Sequence, residues 1–196
     1  MEQATTFCII RHGETDWNAI GKLQGREDIS LNNNGLRQAE DLANFFYTSN
    51  FDCIVSSSLQ RAFQTAQIIS KKISVPLYIE PLLVERCWGD ASGLTFEERK
   101  RNFPDGIIPN QEEFEHMQAR AMSAIYSIHS RWMNKRIIVV SHGALINSIL
   151  HFVSHGEFGS FTTRLANACI SLLQFNSDNW NVLYYNKSYK ELQEQG

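Results

Sequence analysis

Basic residues are in no surplus in this chain: 18 Lys and Arg stand against 21 Asp and Glu, for a formal charge of −3. Nucleic acid and anionic membrane both select an excess of positive charge, so neither is expected as a partner. Long apolar runs are missing too. The longest, residues 7–10 and 137–140, have the length of strands, far short of the ~20 apolar residues that span a bilayer. Cysteine is scarce, with Cys8, Cys53, Cys87 and Cys169 far apart and no CxxC pair among them. Their number permits disulfides. The first residues, Met1-Glu2-Gln3-Ala4, have no basic region, apolar stretch or small-residue cleavage site, so the expectation is a cytoplasmic protein with reduced thiols. No G-x-S-x-G, Walker loop or G-x-G-x-x-G is present. This removes nucleophile-elbow hydrolases, P-loop enzymes and dinucleotide binders. No repeat or low-complexity segment breaks the 196 residues, of which 43% are hydrophobic. The expectation is one domain over 1–196 with a core of ordinary size.

What the chain does have is an alternation of apolar runs and helical patterns, the mark of an α/β domain. Residues 6–11 form an apolar strand candidate, continuous as in a strand covered on both faces. A Gly- and Asn-rich loop runs from Gly13 to about Asn34. Leu36, Ala39, Leu42, Ala43 and Phe46 then fall at helical spacing behind possible caps at Asn32 to Asn34. Residues 53–56 read as the second strand, Leu59 to Ile73 as the second helix and 76–79 as a third strand. From about 80 to 110 the texture changes. Three of the four prolines (Pro81, Pro104 and Pro109) fall here, with one short helical piece around 96–101. The segment reads as a lid-like excursion. A long amphipathic helix is predicted from Phe114 to Trp132, a buried strand over 136–141, a helix over 142–153, and two closing strands over 168–175 and 180–185. The turn between them is Asn176-Ser177-Asp178-Asn179. The polar tail from Asn186 is expected to be loose. These elements predict a three-layer α/β/α sandwich with a mostly parallel central sheet and a short lid-like insertion.

Chemistry-bearing residues fall at strand ends. Arg11-His12-Gly13 closes the first strand and Ser141-His142-Gly143 the buried strand over 136–141. Ligands of open α/β sheets bind outside the carboxyl ends of the strands. Two His-Gly pairs there would converge on one cleft, with glycine letting the backbone pass close to a ligand. Arg61 lies just past the second strand, near a helix start, and helix N-termini and guanidinium groups both favour a tetrahedral oxyanion. Two arginines and two histidines without a metal-ligand cluster point to a phosphoryl group held by protein cations alone. His151 and His155, spaced i, i+4 and followed by Glu157, lack a third ligand at motif spacing; near a helix end they complement its dipole. Arg99-Lys100-Arg101 can be a clamp for a second phosphate or a solvated basic helix end.

Arg11-His12-Gly13-Glu14-Thr15 followed by Asn18 resembles the signature of the histidine phosphatase superfamily, also called phosphoglycerate mutase-like proteins. Further blocks match in order: Gln24-Gly25, Ser56-Ser57 through Arg61-Ala62 to Gln64-Thr65-Ala66, Glu85 before Trp88-Gly89, Gly93-Leu94-Thr95, Ser141-His142-Gly143 and Asn167-Ala168. The chain is most similar to the small bacterial broad-specificity phosphatases of that superfamily. The resemblance implies that His12 is the nucleophile that accepts the phosphoryl group and that Glu85 is the proton donor. Arg11, Arg61 and His142 would neutralise the phosphoryl oxygens. Asn18, Gln24, Gly25, Thr15 and Ser57 would bind substrate, with no metal and no cofactor. The chemistry is coherent: an imidazole nitrogen splits one displacement into two, guanidiniums meet the transition-state charge, and a carboxyl group serves the leaving alkoxide and then water.

The resulting expectation is a phosphomonoester hydrolase of small phosphorylated metabolites, working through a phosphohistidine as a monomer or homodimer. Its alternative is a phosphoglycerate mutase, or a narrow phosphatase for ribazole phosphate or a sugar bisphosphate. Mutases share Glu85-Arg86 but carry a longer excursion between the acid and the long helix, and an aromatic Gly-Trp block where this chain has Gln24-Gly25. A binding module that has lost catalysis would show damage among the key positions, and Arg11, His12, Arg61, Glu85 and His142 are all present. Ser30-Leu31-Asn32 lacks the Pro and Thr of many relatives, which bears on substrate rather than fold. If the excursion covers the cleft, Trp88, Phe96, Phe103, Ile107 and Ile108 form a partly apolar roof; otherwise they anchor the loop.

Overall fold

The computed structural model describes residues 4–177 and 179–194. Strand β1 (Thr5–Arg11) is followed by a single turn, α1 (Asp16–Ala19), and helix α2 (Asn33–Phe45). Then come β2 (Cys53–Ser56), α3 (Gln60–Ile73), β3 (Leu77–Ile79), α4 (Phe96–Asn102) and α5 (Phe114–Arg131). The chain continues through β4 (Arg136–Ser141), α6 (Gly143–Val153), β5 (Ile170–Asn176), β6 (Asn179–Lys187) and α7 (Tyr189–Gln193). The six strands form one sheet in the order β3-β2-β4-β1-β5-β6. The first four are mutually parallel, while β5 runs antiparallel to both β1 and β6. The mostly parallel sheet expected from the sequence is therefore present.

Alternate side chains of the central strands serve two cores. Phe7, Ile9, Val55, Ile137 and Val139 pack with α5 and α6 on one face. Cys8, Ile10, Ile54, Ile138 and Val140 pack with α2 and α3 on the other. Burial on both faces explains why β1 and β4 read as continuous apolar runs. It also makes three layers. In register, Arg11 pairs with Ser141 and Ser56 with Val140, so β1, β4 and β2 end level with one another. Whatever follows those ends shares one rim of the sheet.

Two short elements depart from the sequence reading. The loop after His12 contains α1, and the tail from Asn186 is ordered rather than loose: β6 runs to Lys187 and α7 follows. Both rest on capping boxes. Thr15 and Asn18 cap α1 reciprocally, and Ser188 and Glu191 do the same for α7. Tyr189 and Leu192, three apart on α7, pack on the α2 and α3 core, and the Tyr189 hydroxyl donates to Asp41 at 3.1 Å. Asp178, part of the expected turn between β5 and β6, lies outside the described residues. No helix among the described residues is long and apolar enough to cross a membrane.

The excursion leaves β3 and returns at α5. Its middle docks on the loop after α1, where Leu23 N–H donates to Leu94 O at 2.9 Å and Gly93 N–H to Leu23 O at 2.7 Å. Trp88 pairs with Gln111 across its base.

Candidate active site

The rim formed by β1, β4 and β2 carries His12, His142 and, as the second residue of α3, Arg61. His12 is 2% exposed. Its Nδ1 lies 2.6 Å from the Gly13 carbonyl oxygen. A carbonyl only accepts, so Nδ1 carries the proton and the neutral ring keeps its lone pair on Nε2. Burial, and then the Arg61 and Arg11 guanidiniums, hold the His12 pKa well below the ordinary histidine value. Gly13 serves a close approach of backbone: a Cβ there would lie 2.6 Å from the Gly35 oxygen at the start of α2. The neighbouring helix by itself requires glycine here.

His142 is the N-cap residue of α6 and is fully buried. Arg61 Nε donates to its Nδ1 at 3.2 Å, so Nε2 bears the hydrogen and donates to Ser57 Oγ at 2.8 Å. Burial and then Arg61 lower the His142 pKa as well. The two imidazole centroids are 5.2 Å apart. Two neutral histidines thus stand beside two guanidiniums.

Those guanidiniums are held from behind. Arg61 is 1% exposed. Its Nη1 donates to Glu27 O and its Nη2 to Gly25 O, each at 2.7 Å. The second hydrogen on each Nη remains for a ligand. Burial pulls the Arg61 pKa down to about 10, which leaves it charged at neutral pH. Arg11 Nη1 donates to Leu165 O, while its Nε is buried without a partner. Gly143 leaves room for this side chain, since a Cβ there would lie 3.4 Å from Arg11 Nε. A buried cationic donor without an acceptor is costly, and an anion in the cleft would satisfy it.

Glu85 completes the wall. Its Oε1 accepts from Leu145 N–H at 3.0 Å and Arg86 N–H at 2.9 Å, and its Oε2 accepts from Ala144 N–H at 3.0 Å. The carboxylate therefore sits on the positive N-terminus of α6. A residue far away in sequence holds it there. Arg120 on α5 donates from Nη1 to Leu82 O (2.8 Å) and Val84 O (2.6 Å) and from Nη2 to Glu85 O (3.0 Å). Its Nε and Nη2 also grip both oxygens of Glu112, at 2.6 and 2.9 Å. Glu112 in turn accepts from Cys87 N–H at 3.1 Å. All five guanidinium hydrogens are committed to fixing the segment that presents Glu85.

Arg11, His12, Arg61 and Glu85 come together as lining of one cleft of about 320 Å³, with Asn18, Gln24, Gly25 and Trp88. Glu85 is the one carboxylate in that lining among the described residues. Thr15, Ser57 and His142 are not brought to the surface of the cleft. The Thr15 hydroxyl caps α1, the Ser57 hydroxyl answers His142, and His142 backs Arg61. Asn147, Arg164 and Leu165 line the cleft without having been anticipated. Asn147 lies one helical turn beyond Gly143, a spacing that could have found it; Arg164 sits in an irregular loop and carried no such signal. Asn167, noted only as part of a block, donates to His12 O and Asn18 Oδ1, each at 3.2 Å.

The apolar roof is not over this cleft. Of its five expected members only Trp88 lines it, and Ile107 is 72% exposed. His151 packs edge-on against Phe114 and Phe161, and no three His, Cys, Asp or Glu side chains among the described residues cluster to hold a metal.

Residues 7–188 match the family model described as Histidine phosphatase superfamily (branch 1). The chain is 40% identical over 182 residues to the protein named Uncharacterized phosphatase PhoE of Bacillus subtilis, covering 93% of this chain and 94% of that one. It is 32% identical over 194 residues to the Metal-independent phosphoserine phosphatase of Arabidopsis thaliana, covering 92% and 80%. Among solved structures, phosphoserine phosphatase from Entamoeba histolytica in complex with 3-phosphoglyceric acid superposes with a TM-score of 0.80 at 30% identity, covering 93% of this chain and 97% of that one.

Proposed function

Because the chain belongs to the histidine phosphatase superfamily, we propose that it hydrolyses small phosphomonoesters through a phosphohistidine formed on His12 Nε2. The observation that carries this reading is the Gly13 carbonyl at 2.6 Å from Nδ1. It leaves a neutral, buried imidazole with its free lone pair on the other nitrogen, beside two guanidiniums. In the first step that lone pair attacks phosphorus and the bond from phosphorus to the ester oxygen breaks. The departing oxygen takes a proton from Glu85. The second lone pair of Oε2, which accepts a single backbone N–H, is where that proton sits. In the second step the Glu85 carboxylate takes a proton from water, the oxygen attacks phosphorus, and the P–N bond breaks to return neutral His12 and inorganic phosphate. Arg11 and Arg61 face the three non-bridging oxygens in both steps. His142 acts behind them as a positioning residue for Arg61.

Two of the relatives are named for phosphoserine, a small alkyl monoester, which supports small phosphorylated metabolites as the substrate class. Four free thiols suit a cytoplasmic setting. The test is a panel of phosphoserine, p-nitrophenyl phosphate, a sugar bisphosphate and 3-phosphoglycerate, assayed in EDTA. The expected result is release of inorganic phosphate from the small monoesters without interconversion of 3- and 2-phosphoglycerate. Interconversion faster than phosphate release would make the protein a mutase, and silence across the panel would remove the hydrolase reading.

A further inference from the structure

Beside the cleft lies a second groove, of about 390 Å³, that the mechanism does not use. It is lined by Arg86, Trp88, Phe96, Arg99, Lys100 and Phe103, among others, and among the described residues by no Asp or Glu. Trp88 is a wall of both cavities. Glu85 faces the cleft and the next residue, Arg86, faces the groove, so a single peptide step separates the two. The aromatic surface is already used by cations: the Arg86 guanidinium lies 5.0 Å from the Trp88 ring and that of Arg99 lies 5.3 Å from Phe96. Arg86 Nε donates to Glu112 O at 2.8 Å. Among the described residues none of Arg86, Arg99 and Lys100 forms an ion pair.

Basic residues in the last turn of α4 complement its dipole. That accounts for their presence on the helix, but not for the convergence of Arg99 and Lys100 with Arg86, which comes from a separate stretch of chain. Nor does it account for three aromatic rings among them. Arg101, in the same turn, lies outside the groove and fits the dipole explanation alone. Resting on the phosphomonoesterase reading of the cleft, we propose that the groove is a substrate subsite. It takes a second anionic group at the end of an apolar or aromatic body. The body passes Trp88 toward Phe103, and the anion meets Arg86, Arg99 and Lys100. The preferred monoester is thus anionic at both ends and apolar between them.

Two probes that differ in one charge test this: 3-(4-phosphonooxyphenyl)propanoate and its primary amide. The carboxylate should have a kcat/KM about tenfold higher than the amide, the size of one charge-assisted contact. In the Arg99→Gln, Lys100→Gln double variant the ratio should fall to within about twofold of unity, and in Arg101→Gln it should stay near the wild-type ratio. Glutamine keeps the helix propensity of these positions. The matching benzylphosphonates, which cannot be hydrolysed, are measured alongside by calorimetry. A carboxylate advantage in Kd that is lost in the double variant sustains the subsite even if neither ester turns over, in which case the catalytic reading alone fails. Equal values for carboxylate and amide in the wild type, or an advantage that survives the double variant, would overturn the subsite.

Discussion

Burying two histidines among arginines has a consequence for stability. His12 and His142 both have pKa values depressed below 6.5 in the folded protein, chiefly by burial. In the unfolded chain each returns to about 6.5, so below that pH the unfolded state binds protons that the native state does not. The stability these neutral rings preserve is complete above 6.5 and is lost as the pH falls toward the depressed values. Each contributes a slope of up to about 1.4 kcal/mol per pH unit in that window. Urea unfolding between pH 7.5 and 5.5 should show the wild type weakening on acidification. His12→Asn should show a slope shallower by up to that amount. Depressed carboxylates such as Asp52 and Glu112 release their contributions only below about 4.5, outside the window. An identical slope for the variant would mean that His12 titrates normally.

At this scale the sequence was informative about residue type and less so about employment. Arg11, His12, Arg61 and Glu85 all reach the cleft, the first three because strand ends and a helix start fix where they point, and Glu85 because Arg120 fixes its segment. Thr15 and Ser57 were expected beside them and are instead spent on a helix cap and on His142. A hydroxyl has several candidate partners within a few residues, and spacing does not say which one wins.

Among the elements, α5 does more than cover the sheet. Its Arg120 fixes the backbone of residues 82–85 while Glu112 closes the other side of the same guanidinium. Arg120→Gln keeps the helix and loses the fork, and lysine cannot restore planar donors. A displaced Glu85 matters most where the leaving group needs a proton. The expected loss in kcat/KM is about tenfold with phosphoserine and much less with p-nitrophenyl phosphate, whose phenolate leaves unprotonated. A purely structural defect would lower both equally, and that result would end the positioning role. This clamp was not legible in the sequence, because its partners are 35 to 38 residues apart along the chain. The long helices were legible from a period repeated over many residues, and the buried strands from their continuous apolar runs. The one-turn α1 and the short α7 were not, because capping boxes and not apolar periodicity specify them.

For the molecule as a whole, the β1, β4 and β2 ends form one rim, and the chain places cations there from widely separated segments. The net charge of −3 conceals this local excess. The excursion between β3 and α5 supplies Glu85 to the cleft and the second groove beyond Trp88, so its apolar residues border the site without roofing it. The phosphatase mechanism depends on His12 Nε2 becoming the phosphoryl carrier. The direct measurement is a rapid-mixing experiment with phosphoserine, quenched in alkaline denaturant, with the modified peptide located by mass spectrometry. An acid-labile, base-stable phosphate on His12 is expected, forming in a burst that approaches one per protein. His12→Ala should lose both the adduct and turnover. A His12→Ala protein that hydrolyses phosphoserine at the wild-type rate, or a phosphate trapped on any other residue, would contradict it.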